Sequence, residues 1–282
     1  MAIGRNLPNG SIQLVETHAE PPPNSFARPF GRPLSVALQL LRQYRRSKII
    51  ESATPVEFRI ATVDAFSEVE AMLRGRFCDN ELYFIRFELV AGSLLQLVQA
   101  CHKFTGDLAV IDFGSLRTEF AFFRQRAGIH ETAVTLGSTQ ITRELSASLG
   151  VSLQYAELLK RAAGIGANWD NFNDVLINFK RPQNSVGRYR EIVTGGLSTV
   201  LSALERKLPR KLTFRSLWIS GGGSQLPGLK EFLMTRYRVP VFPITDLRHP
   251  GFAKLDPRLS ELSAVSLLFA KPEGSASTLS RP

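Results

Sequence analysis

Asp112, Gly114, Ser115 and Thr118 stand close together in the chain, and their types suit one chemistry. Hydroxyls, turn amides and a bare glycine backbone beside an acid can hold phosphate oxygens. The same residues also make an ordinary β-hairpin with a tight polar turn. A second stretch, Gly221-Gly222-Gly223, offers a backbone without side chains, suited to lying against a nucleoside or a phosphate.

Each set needs an element to hold it. Leu108 to Ile111 is a continuous apolar run and reads as a strand buried on both faces. Asp112 ends it and is expected to face an opening, because an unpaired buried carboxylate is costly. Glu119 to Phe123 is a second, aromatic-rich strand that closes a hairpin. The apolar strand Leu217-Trp218-Ile219-Ser220 runs into the glycines, and Gln225 to Leu229 is expected to open a helix with Pro227 near its first turn.

A chain of 282 residues with 44% hydrophobic and 21% charged residues is globular in composition. No apolar run approaches the ~18 residues of a membrane-spanning helix, and no signal-peptide core opens the sequence. We therefore expect a cytoplasmic protein, with any membrane association peripheral or through a partner. Cys78 and Cys101 are too few and too isolated for a disulfide framework or a zinc site. The net charge of +10 is concentrated in Arg28–Arg59 and Arg188–Arg215. The first includes an amphipathic helix pattern, Pro33 to Arg46, ending in Arg42, Arg45 and Arg46, suited to an anionic membrane surface. No nucleic-acid module accompanies this charge, so no nucleic-acid partner is expected.

Residues 1–55 read as an abbreviated N-terminal strand, a Pro-rich arm and the basic helix. Val56–Val63 and Leu82–Leu89 pattern as strands, with helices at Glu68–Arg74 and Gly92–His102. After the hairpin come helices at about Thr139–Leu149 and, capped by Ser152, around Ala156–Lys160. Residues 164–184 look like an excursion, and Val186–Leu208 like a long helix whose Gly195-Gly196 pair marks a close contact or kink. Leu259–Ala270 patterns as a closing helix, followed by a polar tail.

The order Gly137-x-x-x-Ile141-Thr142, Ala156-Glu157-x-x-Lys160, then Gly221-Gly222-Gly223 with Leu226-Pro227-Gly228-Leu229 resembles PilM and FtsA. These are actin-like proteins of type IV pilus assembly and bacterial cell division. Small size favours the pilus branch. The resemblance covers about residues 56–270 and implies an α/β, two-lobed actin-like fold with ribonuclease H-like repeats. It divides the chain into 1–55, a 1C-like subdomain plus phosphate hairpin at 56–127, a second lobe at 128–258, a closing helix at 259–270 and a tail at 271–282.

For the site the resemblance implies ATP with Mg2+. Asp112, Gly114, Ser115 and Thr118 would sit at the phosphates, with Asp112 toward the metal, and Gly137 would belong to the same cradle. Glu157 and Lys160 would reach ribose and adenine, and Gly221, Gly222 and Gly223 would back the nucleoside. Glu157 and Lys160 also read as a surface ion pair of small worth. The implied partners are the N-terminal peptide of a PilN-like inner-membrane protein and other pilus platform or motor components.

Two departures bear on activity. No Asp stands between Met1 and Thr17, where the family opens with a first phosphate hairpin, and Leu116 and Arg117 occupy positions where small residues are common. Hydrolysis is therefore expected to be absent or very slow, and nucleotide binding stays open. The alternatives are a small-molecule (sugar) kinase of the same superfamily, which needs the missing loop and a catalytic acid, and a secretion-platform relative.

Overall fold

The computed structural model describes residues 2–6, 12–17, 56–61, 83–101, 106–124, 128–165, 185–209 and 213–247. The basic helix at 33–46, the helix at 68–74, most of the excursion at 164–184 and the closing helix at 259–270 lie outside them. Strands β1 (Ala2–Asn6) and β2 (Ile12–Thr17) pair antiparallel, with a register shift between Ile3 and Gly4. Strands β3 (Val56–Ala61) and β4 (Tyr83–Glu88) pair parallel, as expected of a crossover unit. Helix α1 (Val90–Cys101) follows directly.

The main sheet has the order β7-β6-β5-β8-β9. It is built from β5 (Leu108–Phe113), β6 (Thr118–Arg124), β7 (Gly128–Val134), β8 (Ser216–Ser220) and β9 (Val241–Pro243). The first three form an antiparallel meander, and β8 and β9 run parallel to β5. The division expected at residue 127 falls inside this sheet, because the hairpin β5–β6 pairs directly with β7.

Alternation along β5 explains its unbroken apolar run. Leu108 and Val110 pack with Ala121, Trp218 and the α1 residues Leu94, Leu95 and Val98 on one face. Ala109, Ile111 and Phe113 pack on the other with Phe120, Phe122, Ile141, Leu145, Tyr189 and Leu197. A central strand covered by helices on both sides has no polar face to show.

The second layer comprises α2 (Ser138–Leu149), α3 (Leu153–Ala163), α4 (Ser185–Glu205) and α5 (Leu229–Tyr237). Gly150 ends α2 in the left-handed conformation, and the Ser152 side chain accepts from the Tyr155 amide to start α3. Gly196 of α4 lies against Ile141, where a Cβ would come within 2.7 Å of that side chain. It marks a close helix contact. Pro227, expected in the first turn of α5, stands before it. Gly222–Gln225 form a short 3-10 turn, and Gly228 at φ 82° caps the helix instead.

Candidate functional site

The parallel strands β5 and β8 end level with one another, Asp112 opposite Ser220. Turns that leave such strand ends are where open α/β sheets place ligands. Two of the expected segments start there, and a third comes to meet them.

The hairpin turn is closed by the Gly114 amide donating to the Arg117 carbonyl at 3.0 Å. Ser115 and Leu116 stand exposed at its tip, Leu116 at 60%. Thr118 is fully buried, and its hydroxyl donates to the Leu136 carbonyl at 2.8 Å, so it ties the hairpin to the loop before α2. Of the two hydroxyls expected at the tip, Ser115 alone faces solvent.

The start of α2 rests on this turn. The Ser138 and Thr139 amides donate to the Gly114 and Ser115 carbonyls at 3.0 and 2.8 Å. A Cβ on Gly137 would fall 2.6 Å from the Ser115 carbonyl oxygen, so backbone contact demands glycine there.

The glycine turn meets the same strand end from β8. Gly221 has φ 82°, and a Cβ on it would lie 2.6 Å from the Phe113 carbonyl oxygen. Gly223 is packed onto the Phe113 ring and carbonyl. At Gly222, by contrast, a Cβ would meet nothing among the described residues within 4 Å, and its φ is not left-handed. Packing therefore accounts for two of the three glycines, and Gly222 is the bare, exposed one. The Ile165 amide donates to the Pro227 carbonyl at 2.8 Å, which fastens the end of α3 to this loop.

Glu157 and Lys160 do not form the surface pair that their spacing allows. Lys160 is buried at 4% exposure, and its ammonium reaches Ser138 O at 3.0 Å, Thr142 Oγ1 at 2.7 Å and Glu157 Oε2 at 2.7 Å. Three acceptors match its three protons. Burial lowers its pKa, against the hydrogen bond and charge of Glu157. Burial acts to raise the Glu157 carboxyl, but hydrogen bonds from Lys160, Thr142 and Arg161 bring it down to about 2.

Glu119 and Arg117 were not expected in the site. Glu119 faces Asp112 across the β5–β6 register. It is buried at 4% exposure. Its Oε2 accepts from the Ala91 amide at 3.0 Å, capping α1, and its Oε1 lies 3.2 Å from Arg117 Nε. Asp112 is half-buried as a residue, yet its Oδ1 is shut off from water without a hydrogen-bond partner. Burial, and then the charge of Glu119, pushes its carboxyl up to about 6, against the Ser220 hydroxyl and Arg117. An acid inside the aromatic strand Thr118–Phe123 was the available signal, since alternation puts it on the face of Asp112. Among the described residues no group of three or more His, Cys, Asp and Glu side chains could hold a metal ion.

The family of cell division protein FtsA matches residues 109–255, just over half of the chain. No curated protein sequence matches. Among solved structures, MreB 5 of Spiroplasma citri bound to AMPPNP is similar at 12% identity and a TM-score of 0.55, over 92% of this chain and 78% of that one. A MamK double helical filament is similar at 13% identity and 0.51, over 88% and 78%. A PilM-PilN type IV pilus biogenesis complex matches at 14% identity and 0.48, over 96% and 95%.

Proposed function

The chain belongs to the FtsA family of actin-like proteins, and from that premise we propose that it is an adenine-nucleotide-binding scaffold of an envelope assembly machine, with little or no hydrolysis. The observation that carries this is the meeting of three turns at Phe113 and Gly114. Gly114–Arg117, Gly137–Thr139 and Gly221–Gly223 touch there backbone to backbone. Ser115 and Leu116 on the hairpin and Gly222 on the glycine turn are turned outward, and of these Ser115 and Gly222 offer polar or bare-backbone contacts. ATP binds across this junction, phosphates toward Ser115 and nucleoside along Gly222. Glu157 keeps a third of its side chain exposed and is the member of the helical pair left to reach a ribose. Lys160 serves the frame.

Residues 1–17 supply no Asp for a first phosphate hairpin, which supports binding without efficient turnover and leaves a sugar-kinase reading unsupported. By its motif order the chain works on the pilus branch, docking the cytoplasmic N-terminal peptide of a PilN-like membrane protein. No helix of the described residues is long and apolar enough to cross a membrane. The partner and the basic surface would hold it at the inner membrane.

Thermal unfolding with millimolar ATP tests the nucleotide. A ligand of the native state raises the melting temperature by mass action. Gly222→Asp, which nothing among the described residues obstructs, should abolish the rise by blocking approach and repelling phosphate. A parent chain unmoved by ATP would overturn the reading.

A further inference from the structure

We propose that Arg117 is the resident counter-ion of the hairpin and stands in place of the divalent metal that a carboxylate such as Asp112 would otherwise hold. The inference deepens the nucleotide reading above, but only one arm of its test rests on that reading.

Asp112 and Glu119 face each other on the α1 side of the sheet, which would bring two negative charges into one buried corner. Two things already meet that charge, a guanidinium and a helix N-terminus. Arg117, at 9% exposure, sets its guanidinium 3.2 Å from Glu119 Oε1. The Ala91 amide takes Glu119 Oε2 at 3.0 Å, at the N-terminus of α1. A helix N-terminus carries roughly half a positive charge. Two negative charges against one guanidinium and half a charge leave about −0.5, too little to draw in a dication.

The oxygen count agrees. Both Glu119 oxygens are engaged, and Asp112 Oδ1 is buried without a hydrogen-bond partner. A magnesium ion takes one or two carboxylates beside substrate phosphates and demands an octahedral shell. Here a planar cation already sits on Glu119, directly across the register from Asp112. The position is also informative. Arg117 closes the turn through its own carbonyl, bonded to the Gly114 amide, so its charge is carried by the loop that would face a phosphate. A nucleotide at this hairpin then meets a corner whose two carboxylates are already balanced to within about half a charge, with no metal held by Asp112.

The test uses the full chain and Mn2+ as probe, read by loss of the free-ion EPR signal without nucleotide. The parent should leave the signal unchanged at millimolar Mn2+. Arg117→Gln should bind Mn2+ about tenfold more tightly or better, Arg117→Lys should not, and adding Asp112→Asn to Arg117→Gln should remove the gain. Mn2+ binding by the parent that Asp112→Asn abolishes would overturn the proposal, as would a folded Arg117→Gln that gains none. If Arg117→Gln does not fold, the parent against Asp112→Asn decides. In the second arm, the ATP-induced rise in melting temperature of the parent should be the same with EDTA as with Mg2+. A rise seen with Mg2+ alone overturns the proposal. No rise in either buffer overturns the nucleotide reading instead, and the Mn2+ arm then decides this one.

Discussion

The ammonium of Lys160 donates to the carbonyl of Ser138 at 3.0 Å, while the amide of Ser138 donates to the carbonyl of Gly114 at the same distance. One residue of α2 thus joins α3 to the hairpin turn. Replacing Lys160 with Met would leave Glu157 without its buried partner and loosen this joint. Glu157 keeps Arg161 and Thr142, so the cost is that of leaving the Ser138 carbonyl and Thr142 hydroxyl without the buried Lys160 donor, about 1–3 kcal/mol. Urea unfolding should show a loss near that size. Arg161→Ala, whose side chain is 75% exposed, should cost under about 1 kcal/mol. Equal losses would mean that burial of Lys160 does not matter.

Acid should attack the same joint. The Glu157 carboxyl titrates near 2 in the folded chain against an ordinary 4.5. A depressed folded value gives stability that is present above pH 4.5 and lost as pH falls through the interval down to about 2. Glu157→Gln should be less stable at neutral pH and lose less on acidification over that interval. Melting curves at stepped pH read both effects.

Asp112 has the opposite sign. Its folded value of about 6 exceeds the ordinary 3.8, so the native state holds the proton more tightly than the unfolded one. Its contribution is favourable below about pH 4 and is lost as pH rises through about 6. Asp112→Asn should therefore stabilise the chain at about pH 7.5 by about 1–3 kcal/mol and remove that slope. Destabilisation at that pH would show that the carboxylate has found a partner in solution.

The glycine turn should divide sharply under substitution. Gly221→Ala forces a Cβ toward the Phe113 carbonyl at a left-handed φ, and Gly223→Ala forces one into the Phe113 ring. Overpacking of this kind costs about 1–3 kcal/mol or more. Gly222→Ala should change stability by less than about 0.5 kcal/mol, as differential scanning calorimetry would show.

The hairpin and the β8–glycine segment were legible because each couples an apolar run to a turn that only small residues can make. Strand boundaries came within a residue or two for β5, β6 and β8. What stayed hidden depends on contacts distant in sequence. Thr118 reads as a ligand hydroxyl, and only the approach of Leu136 uses it up. Lys160 and Glu157 show the spacing of a surface pair, and only the packing of α2 on α3 buries the lysine. Arg117 read as a departure from pattern, whereas the fold turns it onto Glu119. Pro227 misled because Gly228 takes the left-handed cap and moves the helix start beyond it.

β5 is hydrogen-bonded along both edges, antiparallel to β6 and parallel to β8. In amide hydrogen exchange its residues should exchange only through opening of the whole sheet, at the slow limit set by global stability. Residues 108–113 would then serve as an internal clock for unfolding, blind to occupancy. A bound molecule would instead write its signature in the neighbouring turns, 114–117 and 221–226, whose amides can open while that clock stands still.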